Sequence, residues 1–164
     1  CLVAGRSLNM VTIRWGMIGC GAVAEVKSGP GFYKADNSKL LAVTSADPAL
    51  TKSFAERHGV PKAYETSEQL VADADVDAVY VATPPSSHKP LSLIVAKAGK
   101  HVYVEKPMAM RFEECREIVD VCAQRPPRDH RVCRRATSED VHARLVCIAR
   151  LTLAVVPRPT PKAV

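Results

Sequence analysis

Four runs of consecutive apolar residues alternate along the chain with stretches in which apolar residues recur every three or four positions. The runs lie within the segments 11–18, 39–45, 77–83 and 101–104. Unbroken apolar runs are typical of strands buried on both faces, and strands that alternate with helices form a parallel sheet. The pattern therefore predicts an α/β fold with a doubly wound parallel sheet over roughly residues 10–124.

Short local signals mark the ends of the predicted helices. Asp47-Pro48 is typical of an N-cap followed by a proline in the first turn, and Gly59 of a helix end. Ser86-Ser87 predicts the cap of a later helix, and Gly29-Pro30-Gly31 predicts an interruption of the helix that begins near Ala22. The last helix carries an apolar stripe, which explains two cysteines as core residues: Phe112, Cys115, Ile118, Val119 and Cys122.

The first strand stops at Gly19-Cys20-Gly21, and Ala24 occupies the third position of a G-x-G-x-x-G/A pattern. One glycine permits the tight strand-to-helix turn, and the next lets the backbone approach a pyrophosphate at the helix N-terminus. This pattern predicts a Rossmann-type dinucleotide site, with an ordinary glycine turn as the alternative. Cys20 is interpreted as a small packing residue rather than a reactive thiol.

Charge separates the chain into two parts. The net charge of the 164 residues is +6, yet residues 1–124 hold 14 basic and 14 acidic residues, whereas residues 125–164 hold 9 and 3. The excess belongs to an Arg- and Pro-rich tail, which we interpret as a frame-shift product or a genuine basic tail. Residues 1–9 are expected to be an unstructured leader. A nucleic-acid-binding protein that uses this tail is a weaker alternative to an oxidoreductase, and we expect no nucleic-acid partner.

The six cysteines show no C-x-x-C spacing, so neither a disulfide framework nor a metal site is expected. A reducing, cytoplasmic setting is the simpler interpretation. No apolar run approaches the ~20 residues of a membrane span, and no membrane partner is expected.

Residues 12–124 resemble the nucleotide-binding domain of the glucose–fructose oxidoreductase / inositol dehydrogenase (Gfo/Idh/MocA) family. The resemblance rests on three segments that occur in order: Trp15-Gly-Met-Ile-Gly-Cys-Gly21, Val79-Tyr-Val-Ala-Thr-Pro-Pro-Ser-Ser-His88 and Gly99-Lys-His-Val-Tyr-Val-Glu-Lys-Pro107. It implies hydride transfer between a nicotinamide cofactor and a small-molecule sugar, polyol or related carbonyl. It also implies a second substrate domain, which this chain is expected to lack, so the fold is expected to be truncated.

The resemblance also implies roles for individual residues. Gly19, Gly21 and Ala22 would hold the pyrophosphate; Thr83, Pro84 and His88 would line the wall near the nicotinamide half; Glu105 and Lys106 would border the nicotinamide and the substrate. Lys106 is the predicted catalytic residue, because an ammonium at a strand end can polarise a carbonyl and stabilise charge that develops on oxygen. The alternative for Lys106 is a solvated surface lysine.

The choice between NAD and NADP depends on the end of the second strand. Enzymes that use NAD usually place a carboxylate there to hold the ribose hydroxyls. Here Ser45 occupies that position, and Asp47 lies two residues later, where it is better placed to cap a helix. The sequence favours NADP over NAD, although no arginine stands beside Ser45.

The chain alone is expected to bind a dinucleotide poorly and to turn over no substrate. The resemblance implies acid/base residues in a second domain, and these are not recognisable here. A non-catalytic nucleotide-binding module, or an inactive truncated product, is the alternative to an oxidoreductase. A homo-oligomer of the full-length parent is left open.

Overall fold

The computed structural model describes residues 12–124. The predicted leader and the basic tail lie outside the described residues. The described elements are β1 (Ile13–Ile18), a π-helical segment (Val23–Ser28), α1 (Gly29–Lys34), β2 (Ser38–Thr44), α2 (Pro48–His58), β3 (Lys62–Ala63), α3 (Ser67–Ala72), β4 (Ala78–Val81), a 3₁₀ turn (Pro85–Ser87), α4 (His88–Lys97), β5 (His101–Val104) and α5 (Phe112–Gln124).

The five strands form one parallel sheet in the order β3-β2-β1-β4-β5. In the register, Trp15 of β1 pairs with Leu40 of β2 on one side and with Ala78 of β4 on the other. The predicted Rossmann-type α/β fold is therefore confirmed for the described residues. The four predicted strands are the four longest strands of this sheet.

Helices cover both faces of the sheet, because successive strand residues point to opposite sides. On one face, Met17 and Tyr80 pack in a cluster that includes Phe32 of α1 and Phe54 of α2. On the other face, residues of β1, β2 and β4 pack against α3 and α4 in a second cluster: Ile18, Ala42, Leu70, Val71, Val79 and Val95. Burial on both faces explains why these strands are continuous apolar runs.

The predicted cap of α2 is confirmed. The Asp47 carboxylate accepts the backbone N–H groups of Ala49 and Leu50, and Gly59 ends the helix with a φ of 63°. At α4, by contrast, Ser87 occupies the N-cap position but its side chain makes no capping hydrogen bond. The predicted serine cap is wrong because the 3₁₀ turn leads the chain into α4 through backbone bonds instead.

The predicted interruption at Gly29-Pro30-Gly31 is also wrong. The helix widens into the π-helical segment, and the Gly29 N–H donates to the carbonyl of Ala24, five residues back. A Cβ on Gly29 would lie 1.9 Å from that oxygen, so only glycine allows this close approach. Pro30 falls in the first turn of α1, where a missing N–H is tolerated. The helix therefore passes through the segment that local propensity marks as a break.

Cys115 and Cys122 pack against a small cluster of Met108, Ala109 and Ile118, which confirms their interpretation as core residues. Among residues 12–124, no helix is long and apolar enough to span a membrane.

Candidate functional site

The carboxyl ends of β1, β2, β4 and β5 meet at one edge of the sheet. Backbone hydrogen bonds hold these ends together: Gly19 N donates to Thr44 O over 2.8 Å, Ala82 N to Ile18 O over 2.8 Å, and Glu105 N to Val81 O over 3.0 Å. In parallel α/β sheets, ligands bind in the crevice outside this edge. All the predicted site residues lie in the segments that follow these four strands.

Gly19 and Gly21 meet different surroundings. Gly19 has a φ of 106°, and a Cβ there would lie 2.6 Å from the carbonyl oxygen of Ala82. Because Gly19 has no Cβ, the end of β1 can lie directly against the backbone of the loop that follows β4. A Cβ on Gly21 would meet no atom within 4 Å, so this position opens a space in front of the helix that begins at Ala22. Such a space beside the free N–H groups of a helix N-terminus fits a pyrophosphate.

Cys20, between the two glycines, is a packing residue. Its side chain is buried, with Sγ 3.8 Å from the carbonyl oxygen of Thr44. Burial raises the pKa of the Cys20 thiol to about 11, although a hydrogen bond with Ser45 acts in the opposite direction. This burial confirms the interpretation of Cys20 as a packing residue. A reactive thiol needs a lowered pKa and exposure.

An ion pair flanks the glycine turn. Glu25 of the π-helical segment binds Arg57 of α2 and lies 2.8 Å from Nε2 of His58. Hydrogen bonds from Arg57 and His58 lower the pKa of Glu25. Since a lone carboxylate one turn from the glycine turn would repel phosphates, compensation by Arg57 keeps this end of the helix suited to an anion.

The end of β2 presents a hydroxyl rather than a carboxylate. Ser45 Oγ donates to the carbonyl oxygen of Asp47 over 2.8 Å and lies 2.8 Å from the hydroxyl of Thr51. The Asp47 carboxylate is occupied by the α2 N–H groups. The prediction that Asp47 caps α2 is therefore confirmed.

His88 lies behind the crevice wall, where its side chain is 1% exposed. Ring atom Nδ1 is 2.8 Å from the carbonyl oxygen of Pro107, and Nε2 is 2.7 Å from that of Thr83. The imidazole thus joins the loop after β4 to the loop after β5. His88 is therefore buried beneath the two loops and holds them together, whereas Pro84 is exposed at their surface.

Thr83 has a buried hydroxyl with no hydrogen-bond partner among the described residues. Buried hydroxyls are normally satisfied, so an orphan of this kind beside the crevice is compatible with a ligand or a water there.

Glu105 is held by two hydroxyl groups. Tyr80 donates to Oε1 of Glu105 over 2.5 Å, and the Ser28 hydroxyl lies 3.2 Å from the same oxygen and 2.8 Å from the Tyr80 hydroxyl. The second carboxylate oxygen accepts the backbone N–H of Lys106 over 3.1 Å. Burial alone would raise the pKa of Glu105, but the hydrogen bonds from Tyr80, from the Lys106 backbone and from Ser28 outweigh it and lower the pKa.

Lys106 is exposed at this edge and is followed by a cis peptide bond to Pro107. A positive charge at a strand end can stabilise an oxygen on which negative charge develops.

Comparison with known proteins decides the family. The model of the Gfo/Idh/MocA oxidoreductases, described as an oxidoreductase family with an NAD-binding Rossmann fold, matches residues 13–128. The chain belongs to this family.

Two curated proteins illustrate how similar the chain is to known oxidoreductases. The oxidoreductase P35 of Formosa agariphila is 48% identical over 108 residues, which are 66% of this chain and 34% of the relative. The 1,5-anhydro-D-fructose reductase of Ensifer adhaerens is 38% identical over 106 residues, 65% of this chain and 32% of the relative. The chain therefore spans about a third of the length of these Gfo/Idh/MocA proteins.

Solved structures agree with the fold. The 3-ketoreductase KijD10 of Actinomadura kijaniata, solved with NADP and TDP-benzene, has a TM-score of 0.67 and 32% identity over 70% of this chain and 35% of that one. A scyllo-inositol dehydrogenase of Lactobacillus casei has a TM-score of 0.65 and 31% identity over 71% of this chain and 34% of that one.

Sequence reasoning missed Ser28 and Tyr80. Tyr80 carried a usable signal, because a hydroxyl inside a fully apolar strand must find a buried partner. Ser28 carried none, since it lay beside a predicted helix break. The sequence located the segments around this Gfo/Idh/MocA site but not the polar contacts between them.

Proposed function

We propose that this chain is the NAD(P)-binding part of an oxidoreductase that transfers hydride between a nicotinamide cofactor and a sugar, polyol or related carbonyl. The observation that carries the proposal is the open space at Gly21, in front of a helix N-terminus and at the same strand edge as Lys106. Family membership and the fit of a pyrophosphate to this space support it.

The roles proposed for the predicted site residues are those implied by the family resemblance, except at His88 and Glu105, for which the structure favours positioning roles. Gly19, Gly21 and Ala22 would hold the pyrophosphate, and Thr83 and Pro84 would border the nicotinamide half, with His88 fixing their loop from behind. Glu105 would orient the backbone at Lys106. Hydride transfer is the chemistry that a bound nicotinamide would supply, and Lys106 would stabilise negative charge on the substrate oxygen.

NADP is the proposed cofactor. Ser45 stands where NAD enzymes usually carry a carboxylate, and the nearby Asp47 carboxylate is committed to two N–H groups of α2. The similar KijD10 was solved with NADP. Titration with NADPH and with NADH tests the choice: NADPH should bind about tenfold more tightly, a difference of about 1.4 kcal/mol. Equal affinities, or tighter NADH, would reverse it.

A glycine pair offers a matched test of cofactor binding. Gly21→Asp places a carboxylate in the proposed pyrophosphate space, and Gly31→Asp is its control, because a Cβ at Gly31 also meets no atom within 4 Å. Fluorescence titration with NADPH should show loss of binding in Gly21→Asp and near-normal binding in Gly31→Asp. Equal affinities in the two variants would remove the site from this edge.

Two alternative functions, a non-catalytic nucleotide-binding module and a nucleic-acid-binding protein, give different results in these assays. A non-catalytic nucleotide-binding module would bind NADPH without turnover even when the rest of a full-length parent is supplied. Nucleic-acid binding through the basic tail would persist in Gly21→Asp and weaken steeply with salt.

We further propose that this chain alone turns over no substrate. Hydride transfer needs the substrate fixed within about 3–3.5 Å of the nicotinamide, and the chain spans only about a third of its relatives. An assay with NADPH or NADP and a panel of aldoses, inositols and dicarbonyls tests this. Turnover near one per second, lost in Lys106→Ala, would overturn it.

A cytoplasmic setting remains part of the proposal, and the unpaired cysteines Cys20, Cys115 and Cys122 are compatible with it.

A further inference from the structure

A buried hydroxyl links the helix that follows the glycine turn to the strand end that carries Lys106. Tyr80 is fully buried in β4, which lies between β1 and β5, and its ring stacks on that of Tyr103, with centroids 5.1 Å apart. Its hydroxyl lies 2.8 Å from Ser28 Oγ and donates to Glu105 Oε1 over 2.5 Å. Three segments that are distant in sequence therefore meet at one oxygen.

The π-helical segment brings Ser28 to this position. Ser28 is the last residue of that segment, directly before Gly29, whose missing Cβ permits the wide turn. A π-helical turn inserts a residue into the helix and changes which side chains face the sheet. The turn therefore places the Ser28 hydroxyl within 3.2 Å of the Glu105 carboxylate.

The carboxylate at the centre of the network is charged. Although burial opposes the charge, the hydrogen bonds from Tyr80, Lys106 N–H and Ser28 lower the pKa of Glu105. Burial and the neighbouring Glu105 in turn raise the pKa of Tyr80, so the tyrosine stays a donor. A charge-assisted bond of this kind is short and strong. Its direct consequence is a fixed orientation of Glu105, whose other oxygen accepts the Lys106 N–H.

We propose that Tyr80 is a positioning residue for Lys106: its hydroxyl fixes the Glu105 carboxylate, which in turn fixes the backbone at Lys106 and ties it to Ser28. The inference rests on the proposed function, in which Lys106 borders the nicotinamide. Tyr80 itself touches neither cofactor nor substrate. Its effect must then be confined to the nicotinamide half of the ligand, whereas the glycine turn serves the pyrophosphate half.

Two ligands and two matched variants test this in the whole chain. Tyr80→Phe removes the hydroxyl and keeps the ring, and Tyr103→Phe removes the hydroxyl of the stacked neighbour. NADP and 2′-phospho-ADP-ribose, which lacks the nicotinamide half, are titrated against each. Tyr80→Phe should weaken NADP about three- to tenfold and leave 2′-phospho-ADP-ribose within about twofold. Tyr103→Phe should change neither affinity by more than about twofold.

Carboxyl ¹³C NMR supplies a second readout that needs no cofactor. Tyr80→Phe should raise the titration midpoint of Glu105 and shift the backbone amide resonance of Lys106, because the ring packing is retained and only the hydrogen bond is lost. Tyr103→Phe should leave both signals in place.

The outcomes separate the two proposals. Equal weakening of both ligands by Tyr80→Phe would make its role structural, and no weakening of either would remove it; both overturn the positioning role. An unmoved Glu105 midpoint and Lys106 amide also overturn it. Failure of the unaltered chain to bind either ligand would overturn the proposed function, while the NMR result would still decide the link from Tyr80 to Lys106.

Discussion

Replacement of His88 by leucine should destabilise the fold strongly. The side chain is 1% exposed, and its two ring nitrogens lie 2.8 Å and 2.7 Å from the carbonyl oxygens of Pro107 and Thr83. Leucine fills most of the same volume but donates no hydrogen bond. The loss therefore falls on the two buried carbonyls rather than on packing.

The size of the effect follows from the number of bonds. A neutral imidazole carries one N–H and an imidazolium carries two, so His88 donates to one or both carbonyls. A buried acceptor left without its donor costs about 1–3 kcal/mol. Allowing for the apolar burial gained by leucine, we expect His88→Leu to lower the free energy of unfolding by about 1–4 kcal/mol. This is a large share of the about 5–15 kcal/mol typical of a domain.

Urea unfolding measured by tryptophan fluorescence is the assay. Trp15 is the single tryptophan and is buried against Phe32, with ring centroids 4.7 Å apart, so its emission reports on the core. The midpoint should fall while the slope of free energy against urea stays constant.

Two conservative variants divide the contribution of His88. In His88→Asn the amide nitrogen takes the place of Nδ1 and can donate to Pro107, and in His88→Gln it takes the place of Nε2 and can donate to Thr83. Each should recover part of the stability lost in His88→Leu. A loss below about 0.5 kcal/mol in His88→Leu, the size of an ordinary surface change, would refute the bridging role.

Three further predictions concern other parts of the fold. Gly29→Ala should destabilise by more than about 2 kcal/mol, because its Cβ would lie 1.9 Å from a carbonyl oxygen; a thermal-melting midpoint equal to that of the unaltered chain would contradict this. Cys20, with its pKa raised to about 11, should react with iodoacetamide far more slowly than an unfolded cysteine at pH 8. Rapid labelling of Cys20 in the folded chain would refute the burial argument. Since the folded state holds the Cys20 proton to higher pH than the unfolded state does, the contribution of Cys20 to stability is complete below pH 9 and is lost as pH rises towards 11. Asp77→Asn should cost about 1–3 kcal/mol in urea unfolding, because its carboxylate accepts three bonds from Arg14, whereas the exposed Asp75→Asn should cost less than about 0.5 kcal/mol; equal losses would contradict this.

Local features of the sequence were enough to predict most of the elements. A strand segment buried on both faces must be apolar, and β1, β2 and β4 each contain such a segment, whereas the edge strand β5 is half-buried. The Asp47 cap and the Gly59 end of α2 involve bonds within a few residues. Since these signals act over short distances, they are visible without the fold, and the family motifs placed Gly19 and Lys106 at one strand edge.

The contacts that organise the site were decided by the tertiary structure. Ser28 and Glu105 are 77 residues apart, and Tyr80 and Ser28 are 52 apart. No local propensity encodes such a contact, because it exists only after the sheet order has brought β4 beside β5 and the helix over both. The same holds for His88, whose position near a helix start could not reveal that both ring nitrogens face buried carbonyls.

The π-helical segment shows most clearly the difference between what the local sequence determines and what the tertiary structure determines. Glycine and proline at positions 29–31 lower helix propensity, and that preference predicted a break. Packing of Ala24 and Phe32 into the core outweighs the preference, and the missing Cβ of Gly29 makes the wide turn sterically possible. The sequence by itself determined the strands, the two ends of α2 and the glycine turn, because each depends on neighbouring residues. Only burial against the sheet, a property of the whole fold, determined that the helix continues and that Ser28 faces Glu105.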